Sequence, residues 1–120
     1  MMNDDDILND DVGLSDDEVK RVTYTDDAVV VTLQEPLTFK PGKLDDERTL
    51  EALTMPKKVK GKHLQAMDKA SGEMGKTLAL IGSLARIPAT AAGELDARDV
   101  ELIMRAMFPF LPKPQVTGRR

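Results

Sequence analysis

The sequence contains no cysteine and no tryptophan, and its aromatic residues are one tyrosine and three phenylalanines. Without cysteine, a disulfide, a thiolate metal site and a cysteine nucleophile are all excluded. Because aromatic rings are so few, a core has to be built from leucine, valine, isoleucine, alanine and methionine. The 120 residues are enough for one domain with a single modest core.

Long hydrophobic runs are also missing. No apolar stretch approaches the roughly 20 residues that span a bilayer. The N-terminus begins Met-Met-Asn-Asp-Asp-Asp, without the basic and apolar regions of a secretory signal. We therefore expect no membrane partner and no export by a signal peptide, and the lack of cysteine fits a reducing cytosol.

Acidic residues are concentrated at the N-terminus. Residues 1–27 contain ten acidic and two basic residues, whereas residues 28–120 contain 11 acidic and 15 basic ones. The first part therefore carries a net charge of −8 and the second +4. Residues 1–22 also hold too few apolar side chains to offset the entropy of ordering. The sequence predicts an acidic, mostly disordered tail over residues 1–22, a folded domain over 23–112 and a flexible C-terminal tail over 113–120.

One segment of the acidic tail has a helix-start pattern. Residues 15–18, Ser-Asp-Asp-Glu, are typical of an N-cap followed by acids in the first turn. Leu14, Val19 and Val22 would then form a short apolar face. A helix that forms here on binding a partner is the alternative to disorder.

Two segments have the composition of β-strands. Residues 28–33 are dense in β-branched side chains, and Glu35-Pro36 is expected to end that strand. Residues 48–53 alternate polar and apolar side chains, as in a half-buried strand. Because Pro41-Gly42 marks a turn between them, the sequence predicts a β-hairpin with a long connection. A lone hairpin is marginal in water, so helices or another copy of the chain must cover it.

Four helical segments are predicted after the hairpin. The first covers residues 62–69, with Leu64 and Met67 on one side, and the third runs from Pro88 to Ala92 before Gly93. The second, over residues 73–86, has an apolar stripe at helical spacing: Met74, Leu78, Ile81, Leu84 and Ala85. The fold class is thus a small single α+β domain, with an N-terminal β-hairpin followed by three to four α-helices.

The last helix is expected to start at Asp96, which is a good N-cap with Asp99 three residues on. It has the best amphipathic pattern in the chain, and it should end or kink near Met107 because Pro109 follows. Its methionine and phenylalanine side chains either complete the core or form an adaptable groove for a partner helix, and one stripe can serve both purposes. The candidate partner-binding residues are Val100, Ile103, Met104, Met107, Phe108, Phe110 and Leu111.

The groups that catalysis needs are scarce. His63 is the single histidine and sits in a lysine-rich segment, where we expect an exposed loop residue. The aspartate-rich start lacks the glycine and the closing glutamate of a calcium loop. Gly72, Gly75, Lys76 and Thr77 do not have the spacing of a phosphate-binding loop. We therefore expect no enzyme activity, no cofactor, no catalytic residue and no metal site.

Lys57, Lys58, Lys60 and Lys62 form a basic patch that could neutralise nucleic-acid phosphates. The patch lacks the interleaved aromatic and arginine side chains that stack on bases or recognise them. The acidic tail would also compete for the same lysines. We expect a solvated loop and do not favour a nucleic-acid partner; a contact between the tail and the patch is a further alternative.

Five short segments follow one another in an order that resembles a known family. They are Thr-Leu-Gln-Glu-Pro-Leu (32–37), Leu-Glu-Ala-Leu-Thr-Met-Pro (50–56), Gly-Lys-His-Leu-Gln-Ala-Met-Asp (61–68), Leu-Ala-Leu-Ile-Gly-Ser-Leu-Ala-Arg-Ile-Pro (78–88) and Leu-Asp-Ala-Arg-Asp (95–99). Their order and spacing resemble the small tail assembly chaperones of contractile-tailed phages and related prophage tails, over about residues 28–112. The chain departs from the family at Lys62-His63, where an acid is expected, and in its longer acidic N-terminal extension.

This resemblance implies a non-catalytic role in virion morphogenesis, without a cofactor. Such chaperones bind the tape measure protein, a long and largely helical chain, and keep it soluble until tail tube subunits polymerise around it. They act in the host bacterial cytoplasm and are absent from the mature virion. The tail tube protein is a second candidate partner. A homo-oligomer is a further alternative, because a two-stranded sheet has bare edges.

Two other functions compete with the chaperone hypothesis. A small structural tail or baseplate adaptor would be found in purified virions. A nucleic-acid-binding regulator that uses the lysine patch would bind DNA with a strong salt dependence.

Overall fold

The computed structural model describes residues 14–112 and confirms the α+β class. Within these residues it contains three strands: β1 (Val22–Tyr24), β2 (Ala28–Phe39) and β3 (Arg48–Pro56). It also contains five α-helices: α1 (Asp16–Lys20), α2 (Gly61–Gln65), α3 (Gly72–Ala85), α4 (Ala89–Ala92) and α5 (Ala97–Met107). Two short 3-10 helices, Ala66–Lys69 and Phe108–Phe110, follow α2 and α5.

The strands form an antiparallel sheet in the order β1-β2-β3. Val31 in the central strand pairs with Val22 on one side and with Leu53 on the other. All three side chains are buried, because residues paired directly across an antiparallel sheet lie on the same face. Helices α3, α4 and α5 pack against this sheet, and the core lies between the two layers.

The core contains almost no aromatic side chains, as the composition predicts. Its largest fully buried apolar residues are Leu53, Met55, Ile81, Leu102, Ile103, Met107, Val29 and Val31. Tyr24 is buried beside them, with 9% of its surface exposed. Aliphatic and methionine side chains from the sheet and from α3 and α5 therefore make up most of the core.

The prediction of disorder over residues 1–22 is wrong for residues 14–22. Ser15 caps α1 in a capping box: its Oγ accepts a hydrogen bond from the Glu18 N–H at 3.2 Å, and its own N–H donates to Glu18 Oε1 at 3.0 Å. Leu14 and Val22 are buried in the core, and Val19 is half-buried against it. The apolar face predicted for a partner thus packs on the chain's own domain. Residues 1–13 and 113–120, predicted to be tails, lie outside the described residues.

The predicted hairpin is part of a larger sheet. β2 does not end at Glu35-Pro36 but continues to Phe39, through a bulge between Thr32 and Leu37 where the register with β3 shifts. A proline is tolerated there because a bulge needs no ladder hydrogen bond from it. The short strand β1 adds a third member on the other edge of β2. Likewise, α1 adds a fifth helix to the four predicted segments.

The end of α3 shows why the helix stops where the proline predicts. Arg86 adopts a left-handed conformation, with φ 60° and ψ 44°, and caps the helix. The Ile87 N–H donates to the Gly82 carbonyl at 2.9 Å, and Pro88 is then the N-cap of α4. The chain turns so tightly that a Cβ on Gly82 would lie 2.9 Å from the Ile87 carbonyl oxygen. Any side chain at position 82 would therefore force this turn to shift.

Candidate partner-binding surface

Helix α5 begins and ends where the sequence predicts. The Asp96 side chain accepts a hydrogen bond from the Arg98 N–H at 2.8 Å and so acts as the N-cap. Hydrogen bonds from Arg98 lower the pKa of the Asp96 carboxyl, so it stays charged at the positive end of the helix dipole. The helix ends at Met107, and the 3-10 turn Phe108–Phe110 accommodates Pro109.

Three of the seven candidate partner-binding residues lie in the core. Ile103 and Met107 are fully buried, and Val100 is 8% exposed. They pack with the strands and with α3 in one cluster. A partner cannot reach these three side chains in this conformation, so their role here is to complete the core.

The other four candidates lie at the surface where α5 ends. Phe108 is 57% exposed, and Met104, Phe110 and Leu111 are half-buried and packed against the core. Met104 lies in the last turn of α5 and Phe108 is its C-cap, four positions on, a spacing that brings two side chains to the same side of a helix. We call Met104, Phe108, Phe110 and Leu111 the C-terminal apolar surface. It is the part of the predicted groove that remains open to a partner.

The sheet holds this surface in place through Tyr24. The Tyr24 hydroxyl donates to the Ala106 carbonyl oxygen at 2.8 Å, near the end of α5. Its ring meets the Phe110 ring edge-on, with centroids 5.7 Å apart and an interplanar angle of 67°. The ammonium of Lys57 lies 5.6 Å from the Tyr24 centroid and 5.8 Å from that of Phe110. Lys57 is thus not simply the solvated residue expected from the sequence.

Charged residues border the same end of the helix. The Arg105 guanidinium contacts Glu101 one turn earlier and Glu18 of α1, the latter at 3.5 Å. Hydrogen bonding to the Ser15 N–H, then to its hydroxyl, lowers the pKa of Glu18, and burial opposes this shift. Paired charges therefore form a polar rim beside the exposed atoms of the C-terminal apolar surface. This arrangement is typical of protein-binding surfaces.

The prediction that His63 is an exposed loop residue is wrong. It lies in α2 with 9% of its surface exposed, and its Nδ1 accepts a hydrogen bond from the Lys60 N–H at 2.9 Å. Burial lowers its pKa, and the positive charges of Lys62, Lys60 and Arg86 lower it further. The ring is consequently held neutral with its proton on Nε2. The lysines repel the proton that a general base would have to accept.

Residues 14–112 contain no group of three or more histidine, cysteine, aspartate or glutamate side chains that could hold a metal ion. In the same range, no helix is long and apolar enough to cross a membrane.

Sequence reasoning missed the role of Asp99. Its side chain is completely buried. In the sequence it stands out only as an acid three residues after the N-cap of α5. Both carboxylate oxygens accept from the Gln34 N–H, at 2.9 and 3.0 Å, and the Arg21 guanidinium contacts the same carboxylate. The available signal was its spacing: Asp99 is three and four residues before Leu102 and Ile103, hence on the buried face.

Two open clefts flank the helices. One of about 720 Å³ lies beside the 3-10 helix Ala66–Lys69 and is bordered by Ala79, Ser83 and Ala89. The other, of about 700 Å³, lies between the end of β3 and the end of α3. Its lining includes three lysines, His63 and Arg86, so it is strongly basic.

Comparison of the chain with protein-family models, with curated proteins and with solved structures gave no match.

Proposed function

We propose that this chain is a tail assembly chaperone of a contractile-tailed phage or prophage. It binds the tape measure protein in the bacterial cytoplasm, keeps it soluble until the tail tube forms, and is absent from the mature virion. The proposal rests on the resemblance of residues 28–112 to that family. The observation that carries it here is the exposure of Phe108, at 57%, on the C-terminal apolar surface.

The chemistry of this surface suits a helical client. A long helical chain exposes apolar stripes, which aggregate unless something covers them. Methionine adapts its shape to irregular apolar surfaces, and phenylalanine buries a large area for little loss of conformational freedom. Met104 beside Phe108, held against the sheet by the Tyr24–Phe110 contact, gives such a client an apolar site with a fixed position.

Binding without catalysis is part of the proposal. The His63 ring, which would be the natural general base, is buried with its Nδ1 engaged by the backbone. The neighbouring positive charges oppose its protonation. A protein that only covers apolar stripes needs no such base.

The test is co-expression of the full chain with the tape measure protein of the same tail gene cluster. We expect a soluble complex that is recovered by pull-down. Phe108→Asp places a charge in the interface and should weaken the complex about tenfold or more, as expected for an aromatic anchor. The matched control is Met74→Asp, because Met74 is 60% exposed on α3 and is not part of the proposed surface.

Met107→Asp is unsuitable as a binding test, because Met107 is fully buried and the variant would unfold. Equal weakening by Phe108→Asp and Met74→Asp would contradict the proposed surface. Failure to form any complex, with the chain detected in purified virions, would replace the chaperone proposal by that of a structural tail or baseplate adaptor.

A further inference from the structure

The basic cleft is built by three elements that meet at one end of the sheet. We define it by the side chains of Lys58, Lys60, Lys62, His63 and Arg86, which line a space of about 700 Å³. They come from the segment after β3, from α2 and from the left-handed cap of α3. One acidic residue, Asp27, also lines the cleft. Because the lining holds three lysines and an arginine against it, positive charge predominates.

The cations of the cleft lack counter-ions in the described part of the chain. In the ion pairs found among residues 14–112, the basic partner is one of three other side chains: Arg21, Arg98 or Arg105. Burial first, and then the positive charges of Lys62, Lys60 and Arg86, lower the pKa of His63, as expected for a group in a positive potential. Like charges that converge without neutralisation favour the binding of an anion.

The chain itself contains a segment of complementary charge. Residues 1–13 hold five aspartates and no basic residue; the aspartates are Asp4, Asp5, Asp6, Asp10 and Asp11. Ile7 and Leu8 lie between the two aspartate groups. The cleft matches this pattern, because half-buried Pro56 and Ala85 line it together with the cations.

We propose that residues 4–11 of the chain bind in the basic cleft of the same molecule. The aspartates pair with the lysines and Arg86, and Ile7 and Leu8 contact the apolar part of the lining. This self-contact would shield the cleft from other polyanions, including nucleic acid. The residues that line the cleft are not those of the C-terminal apolar surface, so this contact can fail while the proposed chaperone function holds.

The tether makes such a contact reachable. Leu14 is buried in the core, so the acidic segment starts from a fixed point on the domain. Ten extended residues span at most about 35 Å, and the molecule measures 47 × 37 × 24 Å along its principal axes. A short tether gives an effective concentration of ~mM, so the contact requires several charge pairs and the apolar contacts to form together.

The absence of cysteine permits a direct test on the full chain. A nitroxide spin label attached to Asn9→Cys broadens the NMR signals of nearby amides. We expect selective loss of peak intensity at the amides of residues 58–63 and 86. High salt should restore the signals, because screening shortens the range of charge interactions to ~3 Å at 1 M. A mixed sample, in which only the unlabelled chains carry ¹⁵N, distinguishes contact within a chain from contact between chains.

Two charge variants control the experiment. Lys58→Glu with Lys62→Glu should abolish the selective broadening, and both side chains are exposed, so the fold should persist. Lys40→Glu with Lys43→Glu changes the net charge equally in the β2–β3 connection and should leave the broadening intact. Broadening elsewhere, its persistence in the cleft variant, or its presence in the mixed sample would overturn the proposal. So would absent broadening in the parent chain, and binding of a labelled DNA duplex to the cleft would then make nucleic acid its occupant.

Discussion

The Asp99 carboxylate on α5 accepts a hydrogen bond from the backbone N–H of Gln34 at 2.9 Å, although the two residues are 65 positions apart. It also accepts from the Glu35 N–H at 3.2 Å and contacts the Arg21 guanidinium. The two N–H groups lie in the bulge, where the register between β2 and β3 shifts. Asp99 therefore supplies acceptors to backbone groups in the bulge and ties the sheet to the last helix.

Replacing Asp99 by asparagine should destabilise the protein strongly. The amide keeps the shape but turns an N–H₂ group toward donors that need an acceptor, and Arg21 loses its counter-ion. Removing one partner of a buried, hydrogen-bonded charge costs about 2–4 kcal/mol of the free energy of unfolding. Urea denaturation followed by circular dichroism measures this loss.

The control for this prediction is Glu101→Gln on the same helix. The Glu101 side chain is 64% exposed and pairs with Arg105 at the surface. Such exposed ion pairs contribute less than about 1 kcal/mol to the free energy of unfolding. If both variants lost the same amount of stability, the structural role assigned to Asp99 would be refuted.

Elements governed by local chemistry were predictable from the sequence. Asp96 caps α5, Met107 ends it, and Ile87-Pro88 ends α3, as expected. The course of β2 was not predictable, because Pro36 is a local stop signal. The strand continues through the bulge, whose N–H groups are satisfied by Asp99, a residue with no local relation to it.

The candidate surface was only partly predictable for a similar reason. Helical periodicity shows which residues of α5 share a face, but not which of them other elements will cover. The sheet and α3 cover Val100, Ile103 and Met107, whereas Phe108 remains exposed. The same holds for His63, whose lysine neighbours suggested exposure although tertiary packing buries its ring.

Two glycines of α3 should respond to alanine with opposite signs. At Gly82, the new Cβ would lie 2.9 Å from the Ile87 carbonyl oxygen and 3.4 Å from the Ala89 backbone, which cannot move freely. We expect a loss of about 1–3 kcal/mol from such overpacking. At Gly75, the new Cβ would meet the Ala70 Cβ at an ordinary 3.8 Å. Alanine there should stabilise the helix by about 0.5–1 kcal/mol.

Thermal unfolding of both variants checks this pair of predictions. Stabilisation by Gly82→Ala would show that the turn after α3 can relax. Loss of stability in Gly75→Ala would mean that α3 packs more tightly at its start than the 3.8 Å contact indicates.

Tyr24→Phe should weaken the attachment of β1 to α5. The variant removes the hydroxyl that donates to the Ala106 carbonyl at 2.8 Å and keeps the ring that contacts Phe110. That carbonyl belongs to the last turn of α5, where carbonyl groups lack partners further along the same α-helix. We expect the free energy of unfolding to fall by about 1–2 kcal/mol. Tyr24→Leu also removes the ring contact, so it should lower the free energy of unfolding further. Equal losses of stability in the two variants would argue against a role for the aromatic pair.

The stability of the fold should decrease in mild acid because of His63. Its pKa in the folded protein is lowered from 6.5, mainly by burial and also by Lys62, Lys60 and Arg86. Well above pH 6.5 the ring is neutral in both states, so this group leaves stability unchanged. Below that value the unfolded chain takes up the proton first, and the free energy of unfolding falls until the folded-state pKa is passed.

Urea denaturation at about pH 7.5 and about pH 5.5 isolates this effect from the titration of most carboxyl groups. His63→Gln removes the titrating ring while its side-chain oxygen can still accept from the Lys60 N–H. The variant should therefore lose less stability than the parent chain between the two pH values. An equal loss in both proteins would show that His63 is not the source of the acid sensitivity between these two pH values. Glu18, whose pKa is lowered from 4.5 mainly by hydrogen bonding to Ser15, would contribute only at lower pH.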